Sequence, residues 1–328
     1  MATTTEVKLI RTCSIWRALE VVGDTAILLI LESIWLGDER FDRIRERTGL
    51  LKALLSDRLK RLISNDILVK EPIGEASNRF RYRMTKKGLD LYWSALMMLR
   101  WERRWSNSDG KIGLVLTHQK CGNAFEPTPT CGNCGDEIDP RDVDWEEGPG
   151  VGWMKPQYSR RRQTRSAAEQ RAEHTVLMDE VAQITGDRWV GLMLRSIFTG
   201  LRKFDEIRKD TAIATNVLSA RLAWLEERGI IRPRAYSESP VRYEYFLTEK
   251  GIDYYPILLM LLRWGDTYYV SPEGPPLVLR HKEDQHPLDP QVTCSECGEP
   301  IRWQDVTYEV REASDGAPQK RARKMTAA

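Results

Sequence analysis

The sequence predicts a mainly α-helical protein with small β elements. We expect two winged helix-turn-helix domains, each followed by a short β module that resembles a zinc ribbon. Three observations support this prediction: the first half of the chain recurs in the second half without a gap, each half has the element order of a winged helix, and each half ends in His and Cys residues at metal-ligand spacing.

The composition is that of a globular protein and argues against a membrane protein. Of 328 residues, 41% are hydrophobic and 30% are charged, with a formal net charge of +2. No apolar run reaches the roughly 18 residues that a membrane span requires, and the N-terminus lacks the apolar core of a signal peptide. We therefore expect a cytoplasmic, nucleoid-associated protein whose six cysteines are metal ligands or thiol sensors rather than disulfides.

The internal repeat has an offset of 163 residues, so that Gly23 falls on Gly186 and His118 falls on His281. "RFDRIR" also falls on "KFDEIR", and "RFRYRMTKKG" on "RYEYFLTEKG". An ungapped match of this length indicates a duplicated unit of helical domain plus small module. The predicted boundaries are winged-helix domains at 10–106 and 166–270, modules at 112–145 and 275–310, a linker at 146–165 and a basic tail at 311–328.

Each repeat has the local patterns of a winged helix. "TAILLILESIWLG" predicts a buried helix ending at Gly37, "ERFDRIRERTG" a short second helix, and "LLKALLSDRLKRLISND" a third helix with a leucine stripe. "ILVKEP" and "RFRYRMT" alternate as a β-hairpin, and Thr85 is expected to cap one long final helix. In the second repeat, Ser166 and Glu169 have capping-box spacing. Such an architecture places the third helix in the DNA major groove and the hairpin, or wing, on the backbone.

Two stretches carry a resemblance to a known family. "CSIWRALEVVGDTAILLILESIWLGDERFDRIR" and "NVLSARLAWLEERGIIRPRAYSESPVRYEYFLTEKGIDYYPILLMLLRWGD" resemble the HxlR-type bacterial transcription regulators. The resemblance implies double-stranded DNA as partner and self-association through the first and last helices. Members of this family typically bind DNA as homodimers, and some carry an extra C-terminal module. Because this chain is duplicated, either one chain supplies both halves of the usual dimer, or two chains pair to present four winged helices.

The candidate DNA contacts lie on the predicted recognition helices, 50–64 and 213–227, and on the wings, 70–83 and 233–246. Polar side chains opposite the leucine stripe can read base edges or bind phosphates, and wing arginines can bind phosphates. Arg58 and Arg221 lie nearer the core, so for them a brace within the fold is an equal alternative. The candidates are Lys52, Ser56, Arg58, Lys60, Arg79, Thr215, Asn216, Ser219, Arg221 and Arg242.

The terminal modules predict a structural Zn²⁺ site. In the first module, His118-x2-Cys121 and Cys131-x2-Cys134 supply the four soft ligands of a closed tetrahedral centre. The second module keeps the ligands His281, Cys294 and Cys297, and Asp284 stands where the first module has Cys121. Its fourth ligand would be Asp284 or His286, and a metal-free module held by packing is the alternative.

The function predicted from these features is sequence-specific DNA binding by a transcription regulator, a repressor, and not catalysis. No nucleophile motif, phosphate loop or open metal site is present in the sequence. One alternative is a winged-helix module that binds proteins and no longer reads DNA. A second is a redox- or ligand-responsive regulator switched through Cys13, a position where redox-sensing members of the resembled family carry a reactive cysteine and where Arg11 and Arg17 are near in sequence.

Overall fold

The computed structural model describes residues 9–74, 79–106, 113–155 and 177–311, and the backbone of 323–324. The helices of the described residues are α1 (Ser14–Val22), α2 (Thr25–Trp35), α3 (Phe41–Thr48), α4 (Lys52–Ser64), α5 (Lys86–Leu89), α6 (Tyr92–Trp105), α7 (Glu180–Thr185), α8 (Arg188–Phe198), α9 (Phe204–Thr211), α10 (Thr215–Glu227), α11 (Glu249–Ile252) and α12 (Tyr255–Tyr268). The strands are β1 (Ile10–Arg11), β2 (Leu68–Pro72), β3 (Phe80–Met84), β4 (Gly113–His118), β5 (Pro127–Cys131), β6 (Val143–Glu147), β7 (Trp153–Met154), β8 (Ile231–Glu238), β9 (Val241–Leu247), β10 (Leu277–His281), β11 (Pro290–Cys294), β12 (Val306–Arg311) and β13 (Arg323–Lys324).

The described chain divides into two compact units, and each unit contains segments of both repeats. We call them the N unit and the C unit, after the repeat that supplies the winged helix. The N unit consists of residues 21–74, 79–106, 113–138, 177–186 and 289–311 with 323–324. The C unit consists of residues 9–20, 139–155 and 187–288. The predicted contiguous domain boundaries therefore do not coincide with the compact units.

The N unit is a winged helix formed by α2 to α6 with the hairpin β2–β3. Asp24 caps α2 by accepting a hydrogen bond from the Ile27 amide at 3.2 Å. Three residues of the predicted leucine stripe of α4 are buried: Leu55, Leu59 and Leu62 are at most 2% exposed. The fourth, Leu51, is the N-cap of the helix and is 69% exposed. α7, which belongs to the second repeat by sequence, also packs in this unit, against α2 and α6.

The C unit repeats this arrangement with α8 to α12 and the hairpin β8–β9. Asp187 caps α8 as Asp24 caps α2, with its carboxylate accepting from the Trp189 amide at 3.1 Å. The buried stripe of α10 is Leu218, Leu222 and Leu225. Residues up to Glu20 of the first repeat belong to this unit, so the N-terminal part of α1 is in the unit of the second winged helix.

The two β modules interleave instead of folding one after the other. In the N unit, β4 and β5 of the first module pair antiparallel with β12 and β11 of the second. In the C unit, β6 of the first module pairs antiparallel with β10 of the second. The sequence prediction of two separate modules is therefore wrong. Corresponding strands of the two modules have the same hydrophobic pattern, so this pattern alone does not decide which strands pair.

The final helix also differs from the prediction. Thr85 does cap a helix, accepting from the Gly88 amide at 3.1 Å, but that helix ends at Leu89 and α6 begins at Tyr92. The predicted capping box at 166–169 lies outside the described residues, as do residues 156–165 of the predicted linker and 312–322 of the predicted tail. Within the described chain, no helix is long and apolar enough to cross a membrane.

Candidate nucleic-acid interface and metal centre

The recognition helix of the C unit, α10, presents a polar face. Thr215, Asn216 and Ser219 are exposed, on the side opposite the buried leucines. An asparagine on such a face can form two hydrogen bonds with the edge of an adenine, and hydroxyls can bind base edges or phosphates. These three candidates therefore share one solvent-exposed face of α10, and their contact with DNA stays a prediction.

The recognition helix of the N unit, α4, has a different face. Lys52 and Lys60 are exposed and Ser56 is half-buried. Asp57 is also exposed, and its carboxylate pairs with Arg58 at 2.7 Å. An acidic group on the same face repels phosphate, so the two recognition helices differ in charge as well as in side chains.

Arg58 and Arg221 each pair with an N-cap aspartate, which favours the brace over the phosphate contact, the two alternatives left open for them by the sequence. Arg58 is 5% exposed, and its guanidinium donates to both carboxylate oxygens of Asp24, at 2.9 and 2.6 Å. Arg221 is half-buried, and its Nε pairs with Oδ2 of Asp187. Arg58 therefore ties α4 to the N-cap of α2, and Arg221 ties α10 to the N-cap of α8; each charge is neutralised there.

The wings carry the remaining basic candidates. Arg79, just before β3, and Arg242, on β9, are exposed. Sequence reasoning missed three exposed side chains near the tip of the second wing: Tyr236 is 44% exposed, Val241 56% and Tyr243 45%. The sequence contained a signal for them: the alternation pattern of β8 and β9 puts large apolar side chains at exposed positions of the hairpin.

The metal-ligating residues group differently from the prediction. His118 and Cys121 lie beside Cys294 and Cys297, all within the N unit, and their four ligand atoms are within 4.8 Å of one another. The Cys121 and Cys294 sulfurs are 3.9 Å apart, and His118 Nδ1 is 3.7 Å from Cys121 Sγ and 3.3 Å from Cys297 Sγ. We call this group the zinc tetrad.

The tetrad fits a tetrahedral zinc ion. With Zn–S bonds of about 2.3 Å and Zn–N bonds of about 2.0–2.1 Å, neighbouring ligand atoms lie roughly 3.5–3.8 Å apart. Both ligand turns are tight: Gly122 has a φ of 76° and Gly298 a φ of 71°, values that favour glycine. A hydrogen bond from the Asn123 amide lowers the pKa of the Cys121 thiol, whereas burial raises the pKa of Cys294.

The other predicted ligands are not part of this group. Cys131 and Cys134 do not join His118 and Cys121, so the predicted ligand set of the first module is wrong. The set predicted for the second module is also wrong, because Cys294 and Cys297 belong to the tetrad. In the C unit, the ring of His281 stacks on that of His286 at 4.4 Å. The Asp284 carboxylate lies 2.5 Å from His286 Nδ1, and this hydrogen bond lowers the pKa of Asp284.

Cys13, the candidate redox sensor, is a free thiol with 4% exposure. The two arginines expected to act on it have other partners. Arg11 pairs with Asp210, and Arg17 donates to the Tyr269 carbonyl at 2.7 Å. A thiol that senses oxidants needs solvent access, so this geometry does not favour the sensor alternative.

Two braced recognition helices, each followed by a hairpin, define a winged helix-turn-helix protein of the DNA-binding class. The model of the HxlR-like helix-turn-helix family matches residues 21–109 and 184–273, which together are more than half of the chain. The chain belongs to this family, whose members are transcription regulators and not enzymes.

Relatives agree with this assignment. Over 127 residues the chain is 41% identical to an uncharacterized HTH-type transcriptional regulator of Mycobacterium tuberculosis, covering 39% of this chain and 80% of the relative. It is 33% identical over 92 residues to the uncharacterized HTH-type transcriptional regulator YdeP of Bacillus subtilis, covering 28% and 72%. A solved structure of a candidate transcription factor from Pseudomonas aeruginosa is 30% identical, covers 37% of this chain and 82% of its own, and has a TM-score of 0.30.

Proposed function

We propose that this protein represses transcription by occupying an operator, with α10 and α4 in the major groove and the wings on the backbone. The observation that carries the proposal is the exposed polar face of α10, formed by Thr215, Asn216 and Ser219, on a helix tied to the fold by Arg221. Because the corresponding face of α4 carries Asp57, the two half-sites of the operator should differ in sequence.

Selection of binding sequences from a random duplex pool tests this proposal. We expect an asymmetric consensus and a specific complex that survives competitor DNA. Asn216→Ala should weaken binding to one half-site, by about 1–3 kcal/mol of base discrimination, while Glu227→Ala, at the far end of α10, should not. A palindromic consensus would contradict the asymmetry. Absence of any specific complex would instead favour the protein-binding alternative.

We also propose that one chain supplies both halves of the dimer that is usual in the family. In the C unit, the Ser14 hydroxyl, at the start of α1, donates to Asp266 on α12 at 2.5 Å. In the N unit, the Glu102 carboxylate on α6 accepts from the backbone amides of residues 179–181 at 2.8–3.3 Å. The first helix of each repeat thus already contacts the last helix of the other repeat within the same chain.

The repeats have diverged at this contact. Glu102 corresponds to Gly265, whose lack of a side chain admits the Ser14 backbone: a Cβ at Gly265 would lie 2.2 Å from the Ser14 oxygen. Each last helix is therefore matched to the first helix of the other repeat. Light scattering of the free protein should give the mass of a single chain, 37.9 kDa. In the presence of DNA it should give a complex of one chain per duplex. A stable two-chain mass in both states would overturn this proposal.

We propose, third, that the zinc tetrad holds a structural Zn²⁺ that ties the two β modules together. Four protein ligands leave no open position, so the ion would stabilise the fold and supply no chemistry. Cys121→Ser and Cys294→Ser should each remove the same ion, so the double variant should lose no more zinc than either single variant. Cys13→Ser is the control that should retain the wild-type content. Additive zinc losses in the double variant, measured by mass spectrometry, would show two separate sites.

A further inference from the structure

The C unit contains a cleft between its two scaffold helices, α8 and α12, and the strands β6 and β10. The cleft is partly open to solvent, and its cavity volume is about 50 Å³, which is room for a carboxylate group or a few water molecules. Its walls are apolar and aromatic, with Trp145, Phe198, Tyr255, Leu258 and Leu277 among the lining residues. None of these residues lies on the recognition helix or the wing.

Arg195, on α8, is the one charged side chain in this lining. It is 5% exposed, and its Nε is buried without a hydrogen-bond partner among the described residues. Leaving a buried donor unsatisfied is unfavourable, and more so for a charged group. An acceptor atom of a bound ligand would remove this cost.

The charges around Arg195 favour an anion. Its guanidinium pairs with Asp210, but Asp210 also accepts from Arg11 at 3.2 Å and from the Ser196 hydroxyl at 2.6 Å. Two buried or half-buried guanidinium groups therefore share one carboxylate. The other acidic partner, Glu147, lies 3.8 Å from Arg11 and is 60% exposed, so solvent screens most of its effect.

The N unit has an equivalent cleft with the opposite charge. Its cavity volume is also about 50 Å³, and it is lined by Trp35, Tyr92 and Leu114, among others. Glu32 occupies the position of Arg195, and its carboxylate accepts from the amides of residues 177 and 178. Because Glu32 is an acid that already accepts from two backbone amides, the N-unit cleft offers no cation to a ligand and provides an internal comparison.

We propose that the C-unit cleft binds a small carboxylic acid with an apolar body, with the ligand carboxylate on Arg195 and the apolar body between Trp145, Phe198 and Tyr255. Its lining contains no residue of the recognition helix, the wing or the zinc tetrad. An aromatic acid of moderate length satisfies both requirements of the cleft, an acceptor at one end and apolar surface at the other.

Calorimetry on the full-length chain tests the site, with phenylbutyrate as probe and the neutral phenylbutyramide as its matched analogue. We expect saturable binding of the acid and binding of the amide that is weaker by about tenfold or more, the effect of one charge-assisted hydrogen bond. Arg195→Met should reduce the affinity for the acid to that for the amide. The variant should fold, because Asp210 keeps Arg11 and Ser196 as partners.

A second pair of variants fills one cleft at a time. Leu277→Trp, in the C-unit cleft, should abolish phenylbutyrate binding, whereas Leu114→Trp, at the equivalent position of the N-unit cleft, should leave it unchanged. Both positions are half-buried, so the larger ring is tolerated equally. Equal binding of acid and amide, an unchanged affinity in Arg195→Met or Leu277→Trp, or no binding of the acid to the wild-type chain would each overturn the proposal.

Discussion

Glu32 should make the stability of the N unit fall as the pH rises. This carboxyl is 3% exposed, and burial raises its pKa from 4.5 to about 7, although the amides of residues 177 and 178 and the charge of Arg47 act in the opposite direction. The nearby charge of Glu102 raises the pKa further. Between pH 4.5 and pH 7 the folded state holds a proton that the unfolded state releases, so each step up in pH favours unfolding.

The size of this effect follows from the difference between the two pKa values. Each pKa unit corresponds to about 1.4 kcal/mol, so the loss approaches roughly 3 kcal/mol across this window. Glu32→Gln removes the titration and keeps one acceptor for the backbone amides. Urea unfolding near pH 5 and pH 8 should therefore show the wild-type chain losing more stability than Glu32→Gln, by about 2–3 kcal/mol.

Glu238→Gln, which changes an exposed carboxylate on the second wing, is the matched control and should follow the wild-type pH dependence. The reasoning is refuted if Glu32→Gln and the wild-type chain lose equal stability between the two pH values. Such a result would mean that Glu32 does not hold a proton in the folded protein.

Three further predictions follow from contacts described above. Gly265→Ala should destabilise the C unit by more than about 1 kcal/mol, because the added Cβ would lie 2.2 Å from the Ser14 carbonyl oxygen. Thermal unfolding measures this loss. The control Gly152→Ala should be close to neutral, because the nearest atom to its Cβ is 4.0 Å away. Arg58→Met should cost about 3–5 kcal/mol of stability, because it leaves Asp24 partly buried and unpaired, and should leave the salt dependence of DNA binding unchanged. Arg242→Ala should have the opposite profile, with normal stability in urea and a salt slope of DNA binding lowered by about 0.9.

The winged helices could be predicted from sequence because their signals are local. The leucine stripe of α4 and the cap at Thr85 depend on residues within a few positions of each other. The role of Arg58 could not be predicted in this way. Its position at the edge of the helical wheel allows its side chain either to be exposed to solvent or to pair with another residue of the fold. Only the approach of Asp24, 34 residues earlier, decides that it is a brace.

The ligand set of the zinc tetrad could not be predicted for a related reason. His118 with Cys121 and Cys294 with Cys297 have the same two-residue spacing as the remaining pair, Cys131 with Cys134. Spacing identifies a ligand pair but not the pair that completes the tetrahedron. That choice is made by the pairing of β4 with β12 and of β5 with β11, which joins segments from opposite ends of the chain.

The interleaved modules have a consequence for the order of events during synthesis. Cys294 follows Cys121 by 173 residues, and β12, the partner of β4, follows later still. The ribosome must therefore synthesise the chain through β12 before the N unit can close, although its winged helix is made first. A nascent chain stopped after the first repeat would expose β4 and β5, would hold His118 and Cys121 without the other two ligands of the zinc tetrad, and would depend on chaperones until the second repeat arrives.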